Sequence, residues 1–447
     1  MKILFISLGC DKNLVDSEVM IGLLSKKGYS FTDDEQEAEA VVVNTCCFIG
    51  DAKEESINTI LEMAELKKAG QVRALLVTGC LAQRYFEEIQ KEIPEVDAVV
   101  GTTAIDAIVD ALEDVLSGKA SNHVESIHRP VFGKGERVVT TGGHYAYLKI
   151  AEGCSKHCTY CIIPKVRGDY RSVPMEELCR EAGELAEGGV KELILVAQET
   201  TLYGVDLYGE KKLPELLTKL CRIEGLCWIR ILYCYPEEIT DELIEVMKRE
   251  RKICHYLDIP IQSGSDRILK LMGRKTSRQQ ICERIQKIRE QIPDICIRTT
   301  LISGFPGETQ EDHEDTMSMV DEMEFDRLGV FPYSPEEDTP AAEMPDQLSE
   351  EIKQRRRDEI MELQQEIAFA SAGLMAGRCV DALIEGKMTE EDVYVARTYK
   401  DAPSVDGYLF IDTNRNFMTG DLVKVMITGS NEYDLIGEIA DDDTGRE

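Results

Sequence analysis

No apolar run in the sequence approaches the ~20 residues a helix needs to span a bilayer. The apolar start, MKILFISLGC, lasts only about seven residues and lacks a small-residue cleavage pattern. It reads as a buried first strand rather than a signal peptide, and the expectation is a cytoplasmic protein with no membrane partner. Aromatic residues make up only 6% of a chain that is 43% hydrophobic and 30% charged, an ordinary globular balance. Basic residues are outnumbered, 51 against 84 acidic, which gives a net charge of −33. A field of that sign repels nucleic-acid phosphates and attracts basic partners, although acidity also serves solubility alone. No internal repeat is evident, and 447 residues exceed one ordinary core, so two or three domains are expected.

Cysteine, by contrast, is plentiful. Fifteen cysteines in a long chain of this type indicate ligands and buried thiols rather than a disulfide framework. Cys179, Cys221, Cys227, Cys234, Cys254, Cys282, Cys296 and Cys379 lie in apolar helix or strand patterns and read as core packing.

The pattern along the chain gives a multidomain α/β protein. Residues 1–117 alternate near-continuous apolar runs (KILFISL, AEAVVVN, RALLVTG, VDAVVG) with amphipathic stretches, the signature of an N-terminal parallel α/β domain. Residues 118–144 are rich in Gly, Ser and His without helical periodicity and read as a linker. From 145 to 375, six candidate strands separated by helical patterns fit a partial TIM-type (β/α)6 barrel, followed by a long connecting helix. Residues 376–447 carry short alternating runs between turns and read as a small antiparallel β-barrel.

The run EGCSKHCTYCIIPKVRG places Cys154, Cys158 and Cys161 within eight residues. No second cysteine pair lies nearby, so a zinc site would have to be completed from a distance. A 4Fe-4S cluster held by three thiolates keeps one iron open for a small molecule, and the loop after a first barrel strand lies where barrel active sites form. Cys10, Cys46 and Cys80 are 36 and 34 residues apart, yet FISLGC, VVVNTC and LLVTGC each lead a buried strand into a cysteine. In an open parallel sheet the strand ends share one edge, where ligands bind. Three such thiols suit a second cluster; three buried thiols at strand ends is the plainer alternative. TTLISGFPGET reads as a strand and a tight turn through Gly304, Pro306 and Gly307, and Gln198 and Gln262 end further strands.

The C-x3-C-x2-C run, with Tyr160 before its third cysteine, resembles the radical S-adenosylmethionine superfamily. Together with SLGCDKNLVDSE, VNTCCFIGDAKEES and VTGCLAQRY, nearly the whole chain resembles the methylthiotransferases of that superfamily. The resemblance implies two 4Fe-4S clusters, a radical one at Cys154, Cys158 and Cys161 and an auxiliary one at Cys10, Cys46 and Cys80. It implies S-adenosylmethionine both as methyl donor and as radical source, with Tyr160, Gln198, Gln262, Gly304, Pro306 and Gly307 on the cofactor side. It also implies a terminal TRAM-like barrel in substrate recognition and an electron donor such as flavodoxin or ferredoxin. Cys47 stands where the family pattern has glycine and is a possible competing ligand.

Members of the family modify either an adenosine of tRNA or an aspartate β-carbon of ribosomal protein S twelve. GCDKNLVDSE, NTCCFI, WIRILYCYPEEIT, RLGVFPYSPEEDTPA and ARTYKDAPSVDG resemble the ribosomal-protein branch, whereas Ser263-Gly264 in IPIQSGSDRILKLMGR looks more like the tRNA branch. From Arg378 to the end, 7 basic and 16 acidic residues leave a net of −9, which suits a basic polypeptide better than tRNA. The expected activity is therefore methylthiolation of that aspartate. The alternatives are tRNA adenosine methylthiolation and, more remotely, a non-catalytic iron–sulfur carrier.

Overall fold

Apolar strands buried on both faces demand a covered parallel sheet, and two such sheets form. The computed structural model describes residues 1–119, 121–129, 137–389 and 392–440. Part of the expected linker (130–136) and the acidic tail (441–447) thus lie outside the described residues. The first sheet contains β1 (Lys2–Ser7), β2 (Ser30–Thr32), β3 (Ala40–Thr45), β4 (Ala74–Gly79), β5 (Ala98–Val100) and β6 (Ser121–His123). All its pairings are parallel, in the order β2-β1-β3-β4-β5-β6. Every residue of β3 and β4 is buried, and separate apolar clusters cover the two faces.

Here the linker expectation changes. Ser121–His123 is the sixth strand of this sheet, because its backbone satisfies the otherwise open edge of β5. Thr140, further along, donates its amide and hydroxyl to the buried Glu18 carboxylate, so this part of the segment is tied down as well.

The central unit begins with β7 (Tyr145–Lys149). A small antiparallel hairpin follows, β8 (Ala151–Glu152) with β9 (Arg171–Ser172), enclosing the three-cysteine run. Then come β10 (Glu192–Val196), β11 (Trp228–Ile231), β12 (Ile253–Asp258), β13 (Cys296–Ser303) and β14 (Arg327–Pro332). Six parallel strands in the order β14-β13-β12-β11-β10-β7 form the expected partial barrel. The helix Glu350–Gly373 follows, capped by the Ser349 side chain, which accepts from the Ile352 amide.

The last unit is a closed five-stranded barrel: β15 (Cys379–Lys387), β16 (Val393–Thr398), β17 (Leu409–Asp412), β18 (Leu422–Asn431) and β19 (Asp434–Ile439). It is antiparallel except that β17 and β19 pair in parallel. Its loop at Tyr399–Asp406 reaches the half-barrel, where Tyr256 donates its hydroxyl to Asp406 at 2.7 Å. Deeper, the Glu192 carboxylate is held between Arg230 and Arg397 at 2.7 Å each, all three fully buried. Among the cysteines expected in the core, Cys234, Cys254 and Cys296 are buried and Cys179, Cys221, Cys227 and Cys282 are half-buried. Cys379 is exposed, a correction, because it opens a barrel strand with its side chain outward. Among the described residues no helix is long and apolar enough to cross a membrane.

Two cysteine triplets at a candidate active site

Parallel neighbours lie about 4.8 Å apart, so residues leaving β1, β3 and β4 at one edge must meet. Cys46 and Cys80 directly follow β3 and β4, and Cys10 caps the helix Asp11–Lys26 after β1. The exits are bound together. Asn13 donates its side-chain amide to the carbonyls of Leu8 and Thr45 at 2.9 Å each, and Ser56 bonds both the amide and the carbonyl of Cys46. Gly9 has φ +90, and a Cβ there would meet Cys46 Cβ at 2.8 Å and Sγ at 3.1 Å, so only glycine lets the first loop approach the second. Burial, reinforced by the neighbouring Cys80, pushes the Cys46 thiol up to about 12. Such thiols stay protonated until a metal centre displaces the proton.

Cys47 is fully buried in the apolar cluster containing Ile60, Leu81 and Ile162, which also includes Cys80, and its thiol lies near those of Cys80 and Cys46. Cys46, not Cys47, is the residue against the Gly9 loop.

The second triplet follows β7 and β8. Cys154 donates its amide to the Gly168 carbonyl at 3.1 Å, Cys161 to the Cys158 carbonyl at 3.0 Å, and Thr159 to the Met272 carbonyl at 2.9 Å. Cys158 Sγ lies 3.7 Å from the Tyr235 hydroxyl, and the Tyr235 ring packs under the Arg274 guanidinium at 4.1 Å. Burial pushes the Cys154 thiol up to about 11.

The triplets are adjoining. The stretch after Cys161 packs Ile162 and Val166 into the core of the first domain, and Arg167 Nε donates to Cys80 Sγ at 3.2 Å. From β11's end, the Tyr233 ring lies under Lys12 of the first domain while Tyr235 touches Cys158. Among the described residues no group of three or more His, Cys, Asp or Glu side chains is set to hold a metal ion. Two sets of three thiols, one at the exits of β1, β3 and β4 and one in the loop between β8 and β9, fit a cluster each by donor chemistry and by count.

The other candidates divide. Gln198 spends its amide on the loop, accepting from the Gly153 amide at 3.0 Å and donating to Glu152 at 3.1 Å. Tyr160 packs edge-on to Phe305, with centroids 6.5 Å apart, and its hydroxyl is held well above the usual phenol range by burial beside Cys158. Gln262 is a non-glycine residue at φ +75, pinned by backbone bonds to Thr300 and Ile302. Gly304 approaches the long helix at Lys353, Pro306 is buried, and the space beside Gly307 is open. Gly264 is close-packed, since a Cβ would meet Thr316 Cα at 2.7 Å, so the Ser263-Gly264 pair has a packing reason.

Four residues escaped the sequence reading: Glu199, Arg167, Lys12 and Tyr235. Glu199 is fully buried after Gln198; Oε1 accepts from the Thr201 amide at 2.8 Å, while Oε2 has no partner. Its signal was a carboxylate at a strand end. Arg167 and Lys12 lie beside ligand motifs as ordinary-looking cations, and only the meeting of domains reveals them.

Relatives settle the family. The chain is 62% identical over 437 residues to ribosomal protein uS12 methylthiotransferase RimO of Lachnoclostridium phytofermentans, covering 98% of this chain and 99% of that one. It is 49% identical over 442 residues to the protein of that name from Clostridioides difficile, with the same coverage. The chain belongs to the ribosomal protein uS12 methylthiotransferase family.

This methylthiotransferase also matches three family models in succession. They are the uncharacterized protein family UPF0004 at residues 2–101, the radical SAM superfamily at 148–320 and the TRAM domain at 376–440. The methylthiotransferase fold is similar to that of the radical S-adenosylmethionine methyltransferase TsrM from Kitasatospora setae, solved with cobalamin and a [4Fe-4S] cluster. That likeness has a TM-score of 0.54 at 13% identity and covers 76% of this chain and 73% of the other, so it bears on fold alone.

Proposed function

We propose that this chain methylthiolates the β-carbon of an aspartate in ribosomal protein uS12, using two 4Fe-4S clusters and S-adenosylmethionine. Cys10, Cys46 and Cys80 hold the auxiliary cluster, and Cys154, Cys158 and Cys161 hold the radical cluster. When bound, these groups supply one-electron chemistry that removes a hydrogen atom and delivers a methylthio group. The observation that carries the reading is the adjacency of the two triplets through Arg167 and through Tyr233–Tyr235. A reaction that draws on both clusters needs its target carbon held between them.

The chain's own residues do the positioning. Gln198 fixes the Glu152–Gly153 approach to Cys154. Tyr160 and the Gly304, Pro306 and Gly307 turn wall the S-adenosylmethionine side, and Gln262 closes it from the neighbouring strand. No carboxylate is needed as a base, because a hydrogen atom rather than a proton leaves the substrate. We assign residues 1–117 to the auxiliary cluster, 145–375 to the radical core with its connecting helix, and 376–447 to docking of the basic substrate. The reaction takes place in the cytoplasm, with electrons from a flavodoxin- or ferredoxin-type donor.

Mass spectrometry of uS12 and of tRNA nucleosides, from cells with and without the gene, tests this. Replacing hydrogen by methylthio adds one carbon, two hydrogens and one sulfur. The expected result is that this increment sits on an aspartate of uS12 and disappears with the gene. An increment on tRNA adenosine that disappears instead would overturn the substrate.

A further inference from the structure

Lys12 is the second residue of the helix Asp11–Lys26, two positions beyond Cys10. It is 5% exposed, and its ammonium sits 3.3 Å from the centroid of the Tyr233 ring. Among the described residues no carboxylate forms an ion pair with it. Its sequence neighbour Asp11 is turned to Tyr147. The ammonium faces the Tyr233 ring and hydroxyl, with the Cys10 thiol and Asp11 also favouring its cationic form.

The surroundings of Lys12 are rigid. Tyr233 has φ +61, uncommon for a non-glycine residue, and its amide donates to Asp258 at 3.2 Å. Asp258 pairs with Arg298 at 3.0 Å, and Arg298 lies 3.7 Å from Asp406 of the last barrel. The central and last domains therefore hold the platform on which the first domain's ammonium rests. The helix adds to the same polarity, for Cys10 offers no side-chain cap and the first-turn amides point out at Lys12's end. Tyr235, two residues beyond the platform, touches Cys158 of the other triplet. The ammonium thus sits where the two triplets adjoin.

We propose that Lys12 is a specificity-determining residue whose ammonium binds the side-chain carboxylate of the substrate aspartate, placing its β-carbon between the two triplets. This rests on the function proposed above. The β-carbon is bonded directly to the carboxylate carbon, so an anchor on the oxygens confines the reacting atom to a small arc. A buried cation also selects charge: asparagine has the shape of aspartate and leaves the ammonium unpaired.

The test measures binding of recombinant uS12, and of uS12 with the target aspartate changed to asparagine, to the cluster-loaded enzyme. Wild type should prefer the aspartate form by about tenfold or more. Lys12→Met should remove the preference by weakening the aspartate form alone, while Lys12→Arg should retain most of it. Iron content and S-adenosylmethionine binding should be unchanged in both variants. Equal wild-type affinity for the two forms would overturn the proposal by itself, even if the variants fail to fold. So would Lys12→Met weakening both forms alike, which marks a counter-charge for the cluster, or weakening S-adenosylmethionine instead, which marks the cofactor's carboxylate as the ligand. If wild type binds uS12 with the preference but modifies tRNA and not uS12, the anchor stands as a binding determinant and the functional reading falls.

Discussion

Arg167 Nε lies 3.2 Å from Cys80 Sγ, so a side chain of the central half-barrel hydrogen-bonds a thiol of the N-terminal domain. The same guanidinium donates to Asp16 at 2.7 Å and to Glu152 at 3.1 Å, and also bonds Asn13. Burial alone would raise the Glu152 carboxyl, yet Arg167 and then Lys149 hold it down at about 2. The network joins the two cysteine triplets through one fully buried cation.

Removing that cation strands two buried acids with only Lys149 between them. Arg167→Ala should cost about 3–5 kcal/mol of stability, the range for breaking a buried pair from one side. Arg167→Lys should recover part of this, because a single ammonium cannot reproduce the fork that reaches Asp16, Glu152, Asn13 and Cys80 together. Urea midpoints of the three proteins check the ranking. An Arg167→Ala midpoint equal to wild type would show that water replaces the guanidinium and that the domains are joined by other contacts.

Cys46 and Cys47 are both buried, but it is Cys46 that stands against the Gly9 loop leading into Cys10. Cys46→Ala should therefore lose the auxiliary cluster, about half of the bound iron if each triplet holds one cluster. Cys47→Ala should keep all of it at a cost of about 1 kcal/mol for a small cavity. Iron analysis of the two purified variants decides this, and iron lost from Cys47→Ala instead would exchange the assignments.

Periodicity and strand-end position carried much of this architecture. FISLGC, VVVNTC and LLVTGC could be aligned on one sheet edge because a parallel sheet leaves few other places for their ends. The small hairpin Ala151–Glu152 with Arg171–Ser172 was hidden, since two-residue strands have no periodicity to detect. So was Ser121–His123, whose sequence SNH has no β-rich pattern and pairs only because β5 offers an open edge. Lys12 and Arg167 illustrate a different limit. Each acquires its role from an element over a hundred residues away, and local sequence contains no term for that.

Gly304 and Gly307 share one turn and left-handed backbone, at φ +69 and +75, but differ in what surrounds them. A Cβ on Gly304 would lie 2.4 Å from Lys353 Cγ and 3.0 Å from its Cα, while Gly307 has nothing within 4 Å. Gly307→Ala should cost only the backbone strain, about 1–2 kcal/mol. Gly304→Ala adds a steric conflict with the long helix and should cost about 1–3 kcal/mol more. Thermal denaturation of the pair measures the difference, and equal losses would show that the helix moves aside freely.

Glu199 gives the protein a pH dependence of defined sign. Burial raises its carboxyl from the ordinary 4.5 to about 7, against the lowering effect of its bonds from Thr201 and of nearby Lys156. Between those two values the folded protein binds more protons than the unfolded chain, so stability falls as pH rises through the window. The full change is about 3 kcal/mol for a shift of this size. Glu199→Gln has no proton to lose and should lack the slope, so the difference between the two proteins' urea stabilities at pH 5 and pH 8, without S-adenosylmethionine, isolates this carboxyl. Parallel curves would mean that the unpartnered Oε2 is hydrated and the group ionises normally. A difference that opens above pH 5 would show that burial keeps the Glu199 carboxyl protonated in the folded protein up to about 7.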